Sequence, residues 1–368
     1  MKKRIGIIFG GKSAEHEVSL QSARNIIEAI DKERYEPMLI AIDKKGIWHL
    51  SDSQEYLMNT SNPKLIALNR TGQRLSITPG IEEKQITVAG EYSSQGKIDV
   101  AFPVLHGPFG EDGSVQGLLK LANIPFVGAS VSGSAVGMDK DIMKRILRDA
   151  GIPIADFISF SRNQSKTIDF QDISSRFGLP LYIKPANLGS SVGISKVRNE
   201  SEFKDAIKKA FEYDRKVIVE ESILGREIEC AVLGNDNPIA SLPGEIISNN
   251  EAHGFYSYEA KYIDENGAVL KIPAQLEERI TEKVKIMAVQ VFKVLCCEGM
   301  ARVDLFLKPN DDILVNEINT IPGFTKISMY PKLWEYSGIP YQELITKLIL
   351  LAIEDFENRE KLKITVDL

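Results

Sequence analysis

The segment ARVDLFLKPNDDILVNEINTIPGF, residues 301–324, places an arginine, two carboxylates and a carboxamide in otherwise apolar surroundings: Arg302, Asp304, Glu317 and Asn319. Val303, Leu305 and Leu307 alternate with Arg302, Asp304 and Phe306, the period of a strand with two unlike faces. ILVNEIN reads as a second strand, and PNDD, 309–312, as the turn between them. Folding the pair about the middle of that turn sets Asp304 against Glu317 and Arg302 against Asn319, with facing Cβ atoms roughly 5 Å apart. Two carboxylates so placed repel each other, so a cation is expected between them. Oxygen donors that include an amide suit Mg2+ or Mn2+ rather than zinc. The plainer alternative is the solvated face of an amphipathic hairpin.

A second stretch, YIKPANLGSSVGISKV at 182–197, has the chemistry to hold an anion. Lys184 ends a strand, and Asn187, Gly189, Ser190, Ser191 and Gly193 form a small loop before the next one. Successive backbone amides in such loops make anion-binding nests, and serine hydroxyls add donors. A hairpin loop that binds nothing is the alternative. Gly6, Gly11, Lys12 and Ser13 also satisfy the phosphate-loop pattern G-x-x-x-x-G-K-[ST]. Ile7, Ile8 and Phe9 put Gly6 inside a buried strand, whose amides cannot wrap phosphates, so that match is set aside. GFYSYEAKYIDENG, 254–267, has the polar-aromatic character of a lid loop.

The elements that must position these groups follow from the same periodicities. At 368 residues, two or three domains are expected. A composition of 43% hydrophobic and 26% charged residues with net charge −6 argues against a nucleic-acid partner, which calls for a basic surface. No apolar run approaches the roughly 18 residues of a membrane span. The start MKKRIGIIFGG reaches a double glycine too soon for a signal peptide. Cys230, Cys296 and Cys297, odd in number and two of them adjacent, suggest reduced thiols of a cytoplasmic protein.

RIGIIFGG predicts a buried strand, followed by a glycine loop, a helix over about 14–30 and a strand at EPMLIAID. A third strand follows near 98–107, then a helix at GSVQGLLKLAN and a short strand at IPFVGA. Strands alternating with helices imply a parallel, doubly wound sheet, with ligands at the carboxyl ends of its strands. From about 139 the texture becomes α+β. A helix at DKDIMKRILRDAG is followed by strands at LPLYIKPA, GISKV, KVIVEE and EIECAVLG, with a helix near 200–212 among them. A long helix over about 276–296 precedes the hairpin, and a last one covers about 340–357. The expected domains are 1–138, 139–215 and 216–368.

Taken in order, GGKSAEHEVSLQSA, HGPFGEDGSVQG, MDK, IKPANLGSSVG, YEAKY, GMARVD and NEINTIPGFT resemble the motifs of the ATP-grasp fold, and within it the D-alanine–D-alanine ligase family, over about residues 4–355. The resemblance implies a substrate-binding N-terminal doubly wound domain followed by a two-lobed ATP-grasp module, with the metal site and lid on the C-terminal lobe. It implies ATP-driven joining of two D-alanines through an acyl phosphate and a tetrahedral intermediate, for peptidoglycan precursors. ATP is then a co-substrate, and Asp304, Glu317 and Asn319 would hold two Mg2+ or Mn2+ ions with Glu317 shared. Lys144 and Lys184 would contact phosphates, Ser191 would join the phosphate loop, and Lys261 would face ATP. Glu220, Glu221 and Ile223 would line adenine, and Glu227 would take the ribose hydroxyls. Arg302, with the Gly323 backbone N–H, would stabilise the oxyanion. Glu15 would hold the first D-alanine's ammonium, in contact with Ser190 and Tyr262; a helix-capping carboxylate is its alternative. His106 would help place that substrate, and Glu111 would orient His106 or cap the next helix. Ser328 would bind the second carboxylate. A cytoplasmic homodimer with no membrane or nucleic-acid partner is implied. The neighbouring possibilities are a D-alanine–D-lactate ligase, whose relatives depart from YEAKY, another ATP-grasp carboxylate–amine ligase, and a nucleotide-binding regulator without catalysis.

Overall fold

The computed structural model describes residues 1–51, 56–59, 65–69, 72–80, 85–88, 96–248 and 268–363. In the first sheet the apolar strand Lys3–Gly10 lies between Tyr35–Ile42 and Val100–Val104, parallel to both. Val100–Val104 ends the sheet, and an edge tolerates its Pro103. Beyond Tyr35–Ile42 the sheet continues through Trp48–Ser51, Gln73–Ile77 and Ile86–Val88, all antiparallel. The expected all-parallel sheet therefore holds for three strands and fails for the rest. The cause is local: Asp43 accepts from Lys45 N and Ile47 N at 2.8 and 2.9 Å, closing a tight reversal over a left-handed Gly46. A parallel return would need a crossover of about a dozen residues. IPFVGA contributes a single parallel bridge, Ala101 to Phe126, in place of the expected strand.

The second sheet orders Ser195–Val197, Leu181–Pro185, Lys216–Glu221 and Phe157–Ser161, antiparallel throughout. It packs its own core of Leu181, Ile183, Val217 and Val219 against Phe203, Ala206, Ala210 and Phe211 of helix Glu200–Tyr213. The third sheet runs Ala268–Lys271, Gly244–Ser248, Arg226–Gly234, Gly299–Leu307, Ile313–Asn319, with Ile239–Ala240 on the side of Arg226–Gly234. Helix Glu278–Val294 covers one face of it. The first and third sheets share a core: Ile5, Phe9 and Phe102 form one continuous cluster with Leu233, Phe324, Tyr330, Trp334 and Leu348 of the last helix, Tyr341–Glu360. The central sheet thus stands apart, and the other two are packed as one body. Among the described residues, no helix is long and apolar enough to cross a membrane.

Candidate active site

The strand ends and the first helix converge. A side chain on Gly10 would put its Cβ 2.2 Å from Ile42 O, and φ there is +92°, so glycine is required for the chain to leave the sheet. Ser19 then ties both strand ends, accepting from Gly10 N at 2.7 Å and donating to Val104 O. This seats Glu15 at the start of helix His16–Ala29 with its side chain buried. The carboxylate caps nothing on that helix; it accepts a hydrogen bond from Ser190 Oγ, 175 residues away. The rejected phosphate-loop match stays rejected, because Gly6 sits inside its strand, paired with Met38 and Ala101.

Ser190 belongs to the loop after Leu181–Pro185, and both Ser190 and Ser191 take left-handed φ, +50° and +59°. Such conformations cost on the order of 1–3 kcal/mol each and persist where the surroundings hold them. The holding contacts come from elsewhere in the chain. Lys140 N donates to Ala186 O at 3.0 Å, and Lys140 Nζ donates to Leu188 O at 2.7 Å while pairing with Glu317 at 3.2 Å. The glycine–serine loop and the hairpin therefore meet on one lysine, the first residue of helix Lys140–Asp149.

On the hairpin, Asp304 faces Glu317 and Arg302 faces Asn319, as the alternation requires. A β-bulge between Asp304 and Leu305 makes this so. Nearer the turn Leu307 pairs with Ile313 and Leu305 with Val315, and without the extra residue Asp304 would face Asn316. The expectation that facing carboxylates need a cation is met first by the protein. Arg302 grips Asp304 with two hydrogen bonds of 2.7 Å and lies 2.8 Å from Glu229, and Lys140 lies against Glu317. Asn319 Nδ2 donates to Asp304 at 3.0 Å. Among the described residues no three His, Cys, Asp or Glu side chains gather as a metal cluster. The donor set is instead two carboxylates and an amide, all hard oxygens. It fits a Mg2+ or Mn2+ ion that keeps waters and takes substrate oxygens to complete its shell.

Below the loop lies a buried ion cluster. Glu220, at the end of Lys216–Glu221, is 3.0 Å from Lys144 Nζ and 2.6 Å from Lys184 Nζ. Burial works against the charge on Glu220, but the two lysines outweigh it and hold the carboxyl down at about 2. Burial likewise opposes the charge on Lys184, and Glu220 overrides it, leaving that lysine above its ordinary value. Lys144 goes the other way: burial keeps it below its ordinary value despite Glu220. Lys184 also reaches Asn316, the bulge residue, at 3.5 Å. The side chain of Glu220 is thus taken up by lysines. Glu221 accepts from Asp156 N at 2.8 Å, Ile223 follows in the connection to the next strand, and Glu227 lies on Arg226–Gly234 opposite Phe306.

The first-sheet loop is clamped to the third sheet through one residue. His106 Nδ1 donates to Ile321 O at 3.0 Å, and Glu111 accepts from Ile321 N at 3.2 Å and from Gly107 N at 2.7 Å. Glu111 does not cap the following helix, Ser114–Leu121. Burial and then Glu15 push its carboxyl up to about 8. Burial lowers the His106 pKa, with Glu15 partly opposing. Gly323 lies beside Ser328, whose Oγ is 2.7 Å from Thr325 Oγ1 and which precedes helix Met329–Tyr336. Lys261 and Tyr262 fall outside the described residues.

Residues 4–129 match the family model described as D-ala D-ala ligase N-terminus, and residues 146–350 match the one described as D-ala D-ala ligase C-terminus. The D-alanine–D-alanine ligase of Oceanobacillus iheyensis is 57% identical over 99% of this chain and 98% of its own. The chain belongs to the D-alanine–D-alanine ligase family. Solved ligase structures overlie it closely. That of the Coxiella burnetii D-alanine–D-alanine ligase has a TM-score of 0.84 at 41% identity, covering 98% of this chain and 96% of that one. That of the Enterococcus faecalis VanG D-Ala:D-Ser ligase has a TM-score of 0.83 at 36% identity, covering 96% and 100%. Within this ligase-family chain, periodicity and motif reading missed Lys140, Glu229, Asn316 and Ile321. The MDK motif already held Lys140. Ile321 acts through its backbone and leaves no trace in residue type.

Proposed function

We propose that the chain joins two molecules of D-alanine as ATP is cleaved to ADP and phosphate, supplying the dipeptide of peptidoglycan precursors. The observation that carries this is the bond from Ser190 to Glu15, which sets the carboxylate of the first helix directly on the glycine–serine loop. An amino acid whose ammonium lies on Glu15 then has its own carboxylate toward that loop and the lysines. Attack of this carboxylate on the γ-phosphorus gives D-alanyl phosphate and ADP. The amine of the second D-alanine attacks the acyl carbon, and the tetrahedral intermediate expels phosphate.

The chain's part is to hold several anions together, since positioning and charge stabilisation supply most of the rate in phosphoryl transfer. Lys144 and Lys184 present net positive charge to the phosphates over Ser191. Glu220, Glu221 and Ile223 border adenine, and Glu227 takes the ribose. Two Mg2+ or Mn2+ ions, held by Asp304, Glu317 and Asn319, would neutralise the phosphate oxygens. Arg302 and the Gly323 N–H steady the oxyanion, His106 and Glu111 set the first substrate, and Ser328 receives the second carboxylate. Lys261 and Tyr262 belong to the closing loop, which keeps water from the acyl phosphate. The same reading divides the chain into a substrate domain, 1–138, and two ATP-grasp lobes, 139–215 and 216–368, working in the cytoplasm as a homodimer.

The test is phosphate and dipeptide formed from ATP, Mg2+ and D-alanine by the purified chain. Turnover with D-alanine and none with L-alanine is expected. Phosphate release indifferent to D-alanine would overturn the proposal. D-lactate and D-serine, offered in competition at neutral pH, should leave D-alanyl-D-alanine the main product.

A further inference from the structure

We propose that Asp214 and Lys216 are positioning residues that fix the phosphate-contacting groups relative to one another; this rests on the ATP-dependent reading above. Neither residue comes from a segment that reads as catalytic, yet three parts of the site meet on them. On one side, Asp214 Oδ2 accepts from Asn187 N at 2.8 Å and Asn187 Nδ2 at 3.0 Å, and Asp214 Oδ1 accepts from Lys216 N at 3.2 Å. Ala186 N donates to Lys216 O at 3.0 Å. The entry to the glycine–serine loop is therefore pinned at two successive residues.

On the other side, Lys216 Nζ lies 2.6 Å from Asp139 Oδ2 and 3.3 Å from Asp141 Oδ2. Asp139 caps the helix Lys140–Asp149 through Oδ1, accepting from Asp141 N and Ile142 N at 3.1 Å. That helix carries Lys140, on Glu317 and the loop, and Lys144, on Glu220. Lys140 N closes the ring on Ala186 O. Lys216 also opens the strand Lys216–Glu221 that carries Glu220, so one residue ties loop, lysine helix and the carboxylate between the lysines.

The charge argument points the same way. Asp139 and Asp141 sit at the start of the helix whose lysines must attract phosphate. Arg145 pairs with Asp141 at 2.7 Å, but Lys216 is the cation on Asp139 among the described residues. Removing it leaves Asp139 with its two helix N–H donors on Oδ1 but without its cation on Oδ2, next to Lys140. Asp139, Asn187, Asp214 and Lys216 line a cleft of about 970 Å³, so losing one ammonium leaves no buried void.

The test reads ATP affinity, by titration calorimetry with Mg2+, apart from turnover. Lys216→Met should weaken ATP binding about tenfold, the low end of what partners one step behind a ligand cost. The KM for D-alanine and the unfolding midpoint should hold, and Lys216→Arg should recover most of the loss. Asp214→Ala should cause a comparable loss, and the double variant should lose less than the product of the two. Unchanged ATP affinity in Lys216→Met would overturn the proposal. So would a loss shared equally by D-alanine, accompanied by a lowered midpoint and not recovered by arginine. A wild-type chain that binds ATP but makes no dipeptide would fail the functional reading alone, because the calorimetric comparison still decides the role of these two residues.

Discussion

Two ion clusters flank the site and are built to opposite excess. At Glu220 two lysines share one carboxylate, almost wholly buried. At the hairpin Glu229, Asp304 and Glu317 lie against Arg302 and Lys140, with Glu229 and Asp304 buried and Glu317 about a fifth exposed. Counting the described ion pairs, the first holds more cations than carboxylates, as phosphate calls for, and the second more carboxylates than cations, as a divalent cation calls for. Burial sets the price of each: the lysines cannot lose Glu220 without stranding charge in a low dielectric, whereas at the hairpin Glu317 keeps some contact with water.

The contrast breaks most readily at Glu220. Glu220→Ala should destabilise the ligand-free protein by about 3–5 kcal/mol in chemical denaturation, the usual cost of stranding buried charge. Saturating ATP should return part of that, because nucleotide bound to the native state stabilises it and brings the missing negative charge. An unaltered denaturation curve would mean that the lysines do not depend on Glu220.

Arg302→Ala tests the hairpin side. It should cut kcat by about 10²–10³-fold, the typical loss of one oxyanion donor, with calorimetric ATP affinity little changed. Retained turnover would remove the oxyanion role. A smaller change is expected from Asp304→Asn, which should raise the Mg2+ concentration for half-maximal activity about tenfold. An identical metal titration would count against the hairpin as the cation site.

A pH test lies at the clamp. Glu111 is pushed up to about 8 from 4.5 by burial and then by Glu15. A carboxyl raised on folding contributes its stability fully below the unfolded value and loses it as the pH rises through the folded one. The unfolding free energy of the ligand-free protein should therefore fall between about pH 4.5 and 8, and Glu111→Gln should flatten that fall. A slope that survives the substitution would assign the titration to another group.

Much of the hairpin was legible, though for an incomplete reason. The alternation around Arg302 and Asp304 marks a polar face, and a fold about PNDD pairs Asp304 with Glu317. The turn itself, with Leu307 opposite Ile313, is one residue out of that register, and the bulge at Asn316 restores it. The first sheet misled for a related reason. Strands Lys3–Gly10 and Tyr35–Ile42 read as parallel and are so. The tight turn after Asp43 sends the chain back antiparallel, and that is visible only as hydrogen bonds to one carboxylate. The capping alternative for Glu15 was reasonable from its place before the first helix, and Ser190, far along the chain, removes it.

By itself, the sequence determined the residue types of the site, the faces they share on each strand, and the place of the small glycine–serine loop between two strands. Those are local properties, set by backbone period and by φ preferences over a few residues. The tertiary structure alone decided the partners: Glu220 between Lys144 and Lys184, Lys140 between loop and hairpin, and Ile321 closing on His106 and Glu111. Each of these joins elements tens to hundreds of residues apart, where contact follows from how sheets and helices pack, and periodicity within one element carries no information about its neighbour.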